Sequence, residues 1–300
     1  MFPPMDSSPV SPAVVLLLHG GIDYAGLFPP AGLSLAESVG NYADYRAGPD
    51  RWALGRLIVP ATRLLEFDAL VDATGRDTAG WRLSATLGGG GASECALVAE
   101  ANRRLAGRGA AVDAIEAKVV DPGAVATLAR SVEPGQAWYG EIPLDSRDEA
   151  VLDALVAHRG FAKIRMGGVT PELFPDPGQV ARFLQAAAVR SLAFKATAGL
   201  HHPLRGPYPL TYLPGSPKAT MYGYLNLMVA TILARQGGDV EEIQAALVES
   251  DPRHLRIQDH ALEWRHRRFT DLGSCRESFH GFGSCSFREP IDELRTGLSP

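Results

Sequence analysis

FAKIRM (Phe161–Met166) and LAFKATA (Leu192–Ala198) are short apolar runs interrupted at every second position by a charged or hydroxyl side chain. Side chains of a β-strand alternate between its two faces. Lys163 and Arg165 therefore oppose Ala162, Ile164 and Met166, and Lys195 and Thr197 oppose Phe194, Ala196 and Ala198. An open parallel sheet lies under helices on both faces and expels such charges. A closed barrel turns one face toward helices and the other toward a shared interior that is polar at its C-terminal mouth.

Outward from these two runs the same unit repeats. Further strand candidates are Val14–His19, Gly55–Pro60, Trp81–Leu87, Ala111–Val119, Ala137–Pro143 and Gly281–Phe287. Helical patterns lie between them at Ser34–Tyr45, Ala61–Ala73, Ser93–Leu105, Pro122–Ser131, Ser146–His158, Pro177–Val189 and Thr220–Gln236. Asp121-Pro122 and Asp145/Ser146 read as helix starts. Eight strands alternating with helices pair in parallel, because each return crossover needs a helix. The expected fold is a single (β/α)8 TIM-type barrel over residues 13–300, after a Pro/Ser-rich tail, Met1–Pro12. Two segments depart from the repeat. Leu200–Lys218 is a Pro/Gly-rich loop of the kind that serves binding, and His254–Arg268 alternates like a small hairpin inserted before the last strand.

Composition narrows the class. The chain of 300 residues is 46% hydrophobic and 21% charged, with a formal net charge of -5. An acidic balance argues against nucleic acid and anionic membranes as partners. Ala13–Leu18 is far too short for a membrane span and lacks the flanks of a signal peptide. The odd set Cys95, Cys275 and Cys285 shows no CxxC pairing and reads as reduced thiols. A cytoplasmic protein is expected, with a homo-oligomer left open.

Strand parity then gathers the charges. Glu116 and Lys118 share a face with Val112 and Ala114, and Arg82, Ser84 and Thr86 share another. With Glu141, Lys163, Arg165 and Lys195 this places six charges inside the barrel, which must be paired, solvated or used. Lys195, crowded by Lys163 and Arg165, would have a lowered pKa and act as nucleophile or base. Glu141 or Glu116 would move protons, and His201 suits proton transfer at the mouth. Adjacent His201 and His202 on an extended segment cannot both face one pocket. Gly167, Gly168, Gly199 and Ser284 suggest an anion site near strand ends, with Arg165 and Arg205 as its cations. Asp23 and Tyr24, just past the first strand, are further mouth candidates. A metal reading would take Glu116 and Glu141 as Mg²⁺ ligands, since no spacing supports a transition metal. Cys285, in FGSCSF, reads as a small buried residue rather than a nucleophile.

The run FKATAGL (Phe194–Leu200) resembles the lysine-bearing strand of class I, Schiff-base aldolases of the deoxyribose-phosphate aldolase type, where Lys-x-Ser/Thr leads into glycine. The resemblance implies Lys195 as the imine-forming lysine, with Thr197 and Gly199 shaping the site beneath the substrate. Here Lys195 falls on the seventh strand by count rather than the sixth, and the histidine pair has no counterpart. More widely the chain is similar to bacterial proteins of unassigned function, a likeness that adds no chemistry. The expectation is a lyase or isomerase, without cofactor, acting on a small phosphorylated or carboxylated carbonyl compound. Rival readings are an Mg²⁺-assisted enzyme and an inert barrel that binds a metabolite or a protein.

Overall fold

Runs of alternating polarity bounded by capped helices become the staves of a closed barrel. The computed structural model describes residues 11–89, 91–144 and 149–296. Its strands begin with β1 (Ile22–Tyr24), β2 (Leu54–Pro60), β3 (Arg82–Thr86), β4 (Ala111–Lys118), β5 (Ala137–Glu141), β6 (Phe161–Arg165) and β7 (Phe194–Thr197). A hairpin of β8 (Gly206–Pro209) and β9 (Lys218–Met221) follows, then an antiparallel sheet of β10 (Leu255–Gln258), β11 (Ala261–Trp264) and β12 (Arg267–Phe269). Strand β13 (Phe279–Ser284) pairs with both β7 and β1 and closes an eight-stranded, all-parallel barrel. The (β/α)8 expectation holds.

The helices are α1 (Pro12–Leu18), α2 (Leu35–Ala47), α3 (Leu64–Thr74), α4 (Ala92–Leu105), α5 (Pro122–Ser131), α6 (Ala150–Ala157), α7 (Pro177–Val189), α8 (Tyr224–Arg235), α9 (Val240–Val248), α10 (Leu272–Ser278) and α11 (Arg288–Thr296). Their starts follow local chemistry. Asp121 accepts from Ala124 N at 2.8 Å with Pro122 in the first turn of α5, as expected. Ser34 with Glu37 and Asp176 with Gln179 form reciprocal capping boxes on α2 and α7. The expected cap at Asp145/Ser146 lies outside the described residues. No helix among the described residues is long and apolar enough to cross a membrane.

Four expectations need correction. Val14–His19 is not the first strand but part of α1. Ser11 caps it at 3.3 Å from Val14 N, Pro12 sits in the first turn, and Ala13, Val14, Leu17 and Leu18 are buried on one helical face. A six-residue apolar run fits either period, and the Ser-Pro start decides it. The first strand is therefore Ile22–Tyr24, which puts Asp23 and Tyr24 within it rather than beyond it. Leu200–Lys218 is largely the β8–β9 hairpin, whose second strand also takes the first residues expected in the helix at Thr220. The hairpin at His254–Arg268 is present and gains a third strand, β12. Finally, the pairing of β3 with β4 slips between Leu83 and Ser84, leaving Asp113 as an extra residue. That bulge turns Val112 out into the hydrophobic layer, while Ala114 and Glu116 keep the inward face.

Candidate active site

Two polar layers fill the barrel. The lower one lies toward the N-terminal ends of the strands. Arg56 Nε and Nη2 donate to the two oxygens of Asp113 at 2.7 and 3.1 Å, and Arg82 Nε donates to Asp113 Oδ2 at 2.7 Å. Beside it, Tyr139 OH lies 3.0 Å from His280 Nδ1, and Phe161 packs against both rings. Burial pushes the His280 imidazole down to about 4, with the nearby cations Arg276, Arg56 and Lys195 acting in the same direction.

The upper layer is a chain of alternating charge that begins above the Tyr139 ring, over whose centroid Lys195 Nζ sits at 5.3 Å. Lys195 Nζ donates to Asp23 Oδ2 at 2.5 Å and to Glu116 Oε1 at 2.6 Å. Ser84 Oγ donates to that same Glu116 oxygen at 2.6 Å. Glu116 Oε2 forms an ion pair with Lys163 Nζ at 2.9 Å, Lys163 pairs on with Glu141 Oε2 at 2.8 Å, and Arg165 Nε stands 3.6 Å from Glu141 Oε1. Adjacent strands deliver these groups in register, with Lys163 opposite Lys195 and Glu141 opposite Lys163. Asp23 reaches Lys195 only because residue 55 is glycine. A Cβ there would fall 2.2 Å from Asp23 Oδ1, which instead accepts from Arg56 N at 2.6 Å.

Electrostatics follows from this packing. Burial alone would raise the Glu116 carboxyl, but Lys163 and Lys195 outweigh it and hold the group far below the usual carboxylate range. Glu141 is lowered in the same way, chiefly by Lys163 against burial. Burial alone would lower Lys195, yet Asp23 and Glu116 hold it well above the ordinary lysine value. This reverses the expected sign: parity had set Lys195 among cations, whereas its nearest neighbours are two carboxylates.

Above the upper layer opens a cleft of about 460 Å³ at the C-terminal mouth of the barrel. Lys163, Glu116, Glu141, Arg165, Thr197 and Lys118 line it, and Lys195 does not. Lys195 is 2% exposed and lies beneath the floor with Asp23. The β8–β9 hairpin forms part of one wall through Pro209, Leu210, Thr211 and Tyr212.

The remaining expected site residues divide. Gly168 and Gly199 border the cleft, and packing by itself accounts for the glycines. A Cβ at Gly167 would strike the Phe174 ring, one at Gly168 would strike Leu173, and Gly199 (φ +69°) abuts Gly167. Tyr24 belongs to the outer core, where its ring packs on Tyr45 and its hydroxyl accepts from Asn41. Arg205 does not line the cleft, and its backbone N–H donates to Asn226. Both His201 and His202 do border it, because the chain there is not a regular strand. His202 stacks on Tyr208 with ring centroids 3.4 Å apart and bonds Glu293 at 2.8 Å.

Around His201 stand Ser284, which the sequence reading had placed at an anion site, Cys285, which it had set aside, and Glu289 and Tyr212, which it missed. Ser284 Oγ lies 3.1 Å from its Nδ1, Glu289 Oε2 lies 3.4 Å from the same nitrogen, and Cys285 Sγ is 4.0 Å from each ring nitrogen. Tyr212 OH, from the hairpin tip, donates to Glu289 Oε2 at 3.0 Å. Cys285 is buried, as expected, and it borders the cleft. The signal available was the spacing of Glu289 and Glu293, four apart on one face of α11 and soon after Cys285. The possible Mg²⁺ site at Glu116 and Glu141 is spanned by Lys163 Nζ, so a cation there has to displace the ammonium. Among the described residues, the group whose ligand atoms approach closely enough to hold a metal is His202, Glu289 and Glu293.

No protein-family model and no curated protein matches the chain. Among solved structures it is similar to the Bacillus cereus spore cortex-lytic enzyme SleL, at 13% identity and a TM-score of 0.37, over 92% of this chain and 73% of that one. A likeness of that size carries no argument about the reaction.

Proposed function

We propose that the cleft is the active site of a lyase-type enzyme that captures a small carbonyl compound as an imine on Lys163. The observation that carries this reading is the position of Lys163: its amine lines the cleft floor and touches one carboxylate from each of two neighbouring strands. Lys195, which the aldolase resemblance implied as the nucleophile, is sealed below and serves as the positioning cation that fixes Glu116.

The roles follow from reach. Lys163 Nζ gives up a proton and attacks the carbonyl carbon. Glu141 Oε2, 2.8 Å away, receives that proton and returns it to the hydroxyl of the carbinolamine. The hydroxyl then leaves as water together with the second proton of the amine, and a protonated imine remains. That cation withdraws electrons from the adjacent carbon–carbon bond, the condition for its cleavage or for proton abstraction. Arg165 and Lys118, exposed at the mouth, are placed to hold a carboxylate or phosphate on the substrate.

Borohydride reduction in the presence of pooled phosphorylated and carboxylated aldehydes and ketones tests this. A reduced adduct on the Lys163 peptide supports the reading, and its mass names the substrate class. An adduct confined to Lys195 would reassign the nucleophile, and no adduct from a broad pool would remove imine chemistry altogether.

A further inference from the structure

Cys285 is a second nucleophilic side chain on the cleft, and the imine chemistry leaves it unused. It follows the last residue of β13, while its neighbours come from three other segments: His201 after β7, Tyr212 at the hairpin tip and Glu289 on α11. The tautomer of His201 can be read from its partners. Ser284 Oγ donates to Ser286 O at 2.7 Å, so toward His201 Nδ1 it can only accept. Nδ1 therefore carries a proton, which Glu289 also faces from 3.4 Å, and Nε2 is left to exchange a proton with Cys285 Sγ at 4.0 Å. Tyr212 OH stands 3.4 Å from Sγ.

We propose that Cys285, His201 and Glu289 act as nucleophile, acid–base and orienting carboxylate in acyl transfer from a small ester or thioester bound in the cleft. A nucleophile beside a base that is itself oriented by a third group is the arrangement such catalysis needs, and free enzymes commonly hold it at looser distances than the loaded state. Sγ forms a bond to the acyl carbon, the bond from that carbon to the leaving oxygen or sulfur breaks, and His201 Nε2–H protonates the leaving group. Water then attacks the thioester with neutral His201 taking its proton. The acid departs, and the thiolate and imidazolium are restored without any oxidant or reductant.

The charge state agrees with this geometry. Burial would lower His201, but Cys285 and Glu289 outweigh it and bring the imidazole up to about 9. Burial would raise the Cys285 thiol, yet His201 draws it below its ordinary value. The other two thiols behave oppositely: burial raises Cys95, and it pushes Cys275 up to about 12. They serve as controls within the same chain.

Alkylation by iodoacetamide across pH, read by peptide mapping, is the first arm of the test. At about pH 6.5, where an ordinary thiol is almost wholly protonated, Cys285 should react while Cys95 and Cys275 stay intact, and His201→Gln should slow it about tenfold or more. In the second arm, p-nitrophenyl acetate should release a burst of nitrophenolate and leave an acetyl group on Cys285. Cys285→Ser, which hardly alters the shape of the site, should keep the wild-type melting temperature and lose that burst. An ordinary thiol pH profile at Cys285, an acetyl group mapping to Lys163 or elsewhere, or a burst that survives in Cys285→Ser would each overturn the proposal. None of these results depends on whether Lys163 forms an imine.

Discussion

Asp113 and Glu116 stand three residues apart on β4, and each is a carboxylate between two cations. Asp113 is gripped by Arg56 and Arg82, and Glu116 by Lys195 and Lys163. The difference lies in the cations. A guanidinium stays charged at any pH a protein meets and matches a carboxylate with a rigid fork of donors, so the lower cluster suits fixing strand against strand. An ammonium is a point charge that can lose its proton and become a nucleophile. Arginine therefore stands where the barrel needs holding, and of the two lysines Lys163 stands where the interior meets the cleft while Lys195 lies beneath its floor.

The sharpest break of this comparison is Lys163→Arg. It keeps the charge between Glu116 and Glu141 but removes the primary amine, so borohydride trapping should vanish while urea denaturation shifts little. Next in size is Lys195→Met, which leaves Asp23 and Glu116 buried with one shared cation gone. A loss of about 3–5 kcal/mol in stability is expected from chemical denaturation. Asp113→Asn attacks the lower cluster instead. Because Arg82 there is more than half exposed, the loss should be about 1–2 kcal/mol, and trapping on Lys163 should be unchanged.

A further test comes from pH. His280 is held neutral down to about 4, so between its ordinary value and that pH the unfolded chain binds a proton that the folded one does not. Stability should therefore fall as pH drops through this window. The upper layer acts at lower pH: Glu116 and Glu141 have lowered values, so their contribution is fully present above the ordinary carboxylate value and is lost progressively as pH falls from there through the lowered values. Thermal melting from about pH 7 to about pH 4 should show the decline. His280→Gln should flatten it, and an unchanged slope would move the acid sensitivity to another group.

The sequence carried the barrel because Phe161–Met166 and Leu192–Ala198 alternate so regularly that their inner faces are legible without partners. Parity also brought Glu116, Glu141, Lys163 and Lys195 together correctly. It could not rank them by depth, since alternation gives a face but not a layer, and so it did not show that Lys195 is covered while Lys163 is reached. It failed at β4, where the bulge at Asp113 shifts the count by one residue. It failed again at Ala13–Leu18, where six apolar residues satisfy two periods. The surroundings of Cys285 were illegible for a related reason. Its significance depends on His201, Tyr212 and Glu289, which come from other segments and meet it only when the barrel closes.

Glu116 offers one oxygen to each lysine, and that has a consequence for the energy of the reaction path. In the reaction proposed above, Lys163 would pass from ammonium to protonated imine, with the nitrogen positive at the start and at the end and water leaving neutral. The field set up by Asp23, Glu116 and Glu141 is therefore equally well matched to both states, and no buried dipole has to turn between them. In a medium where reorienting dipoles is the main resistance to moving charge, such a site begins and ends the covalent step with the same electrostatic balance.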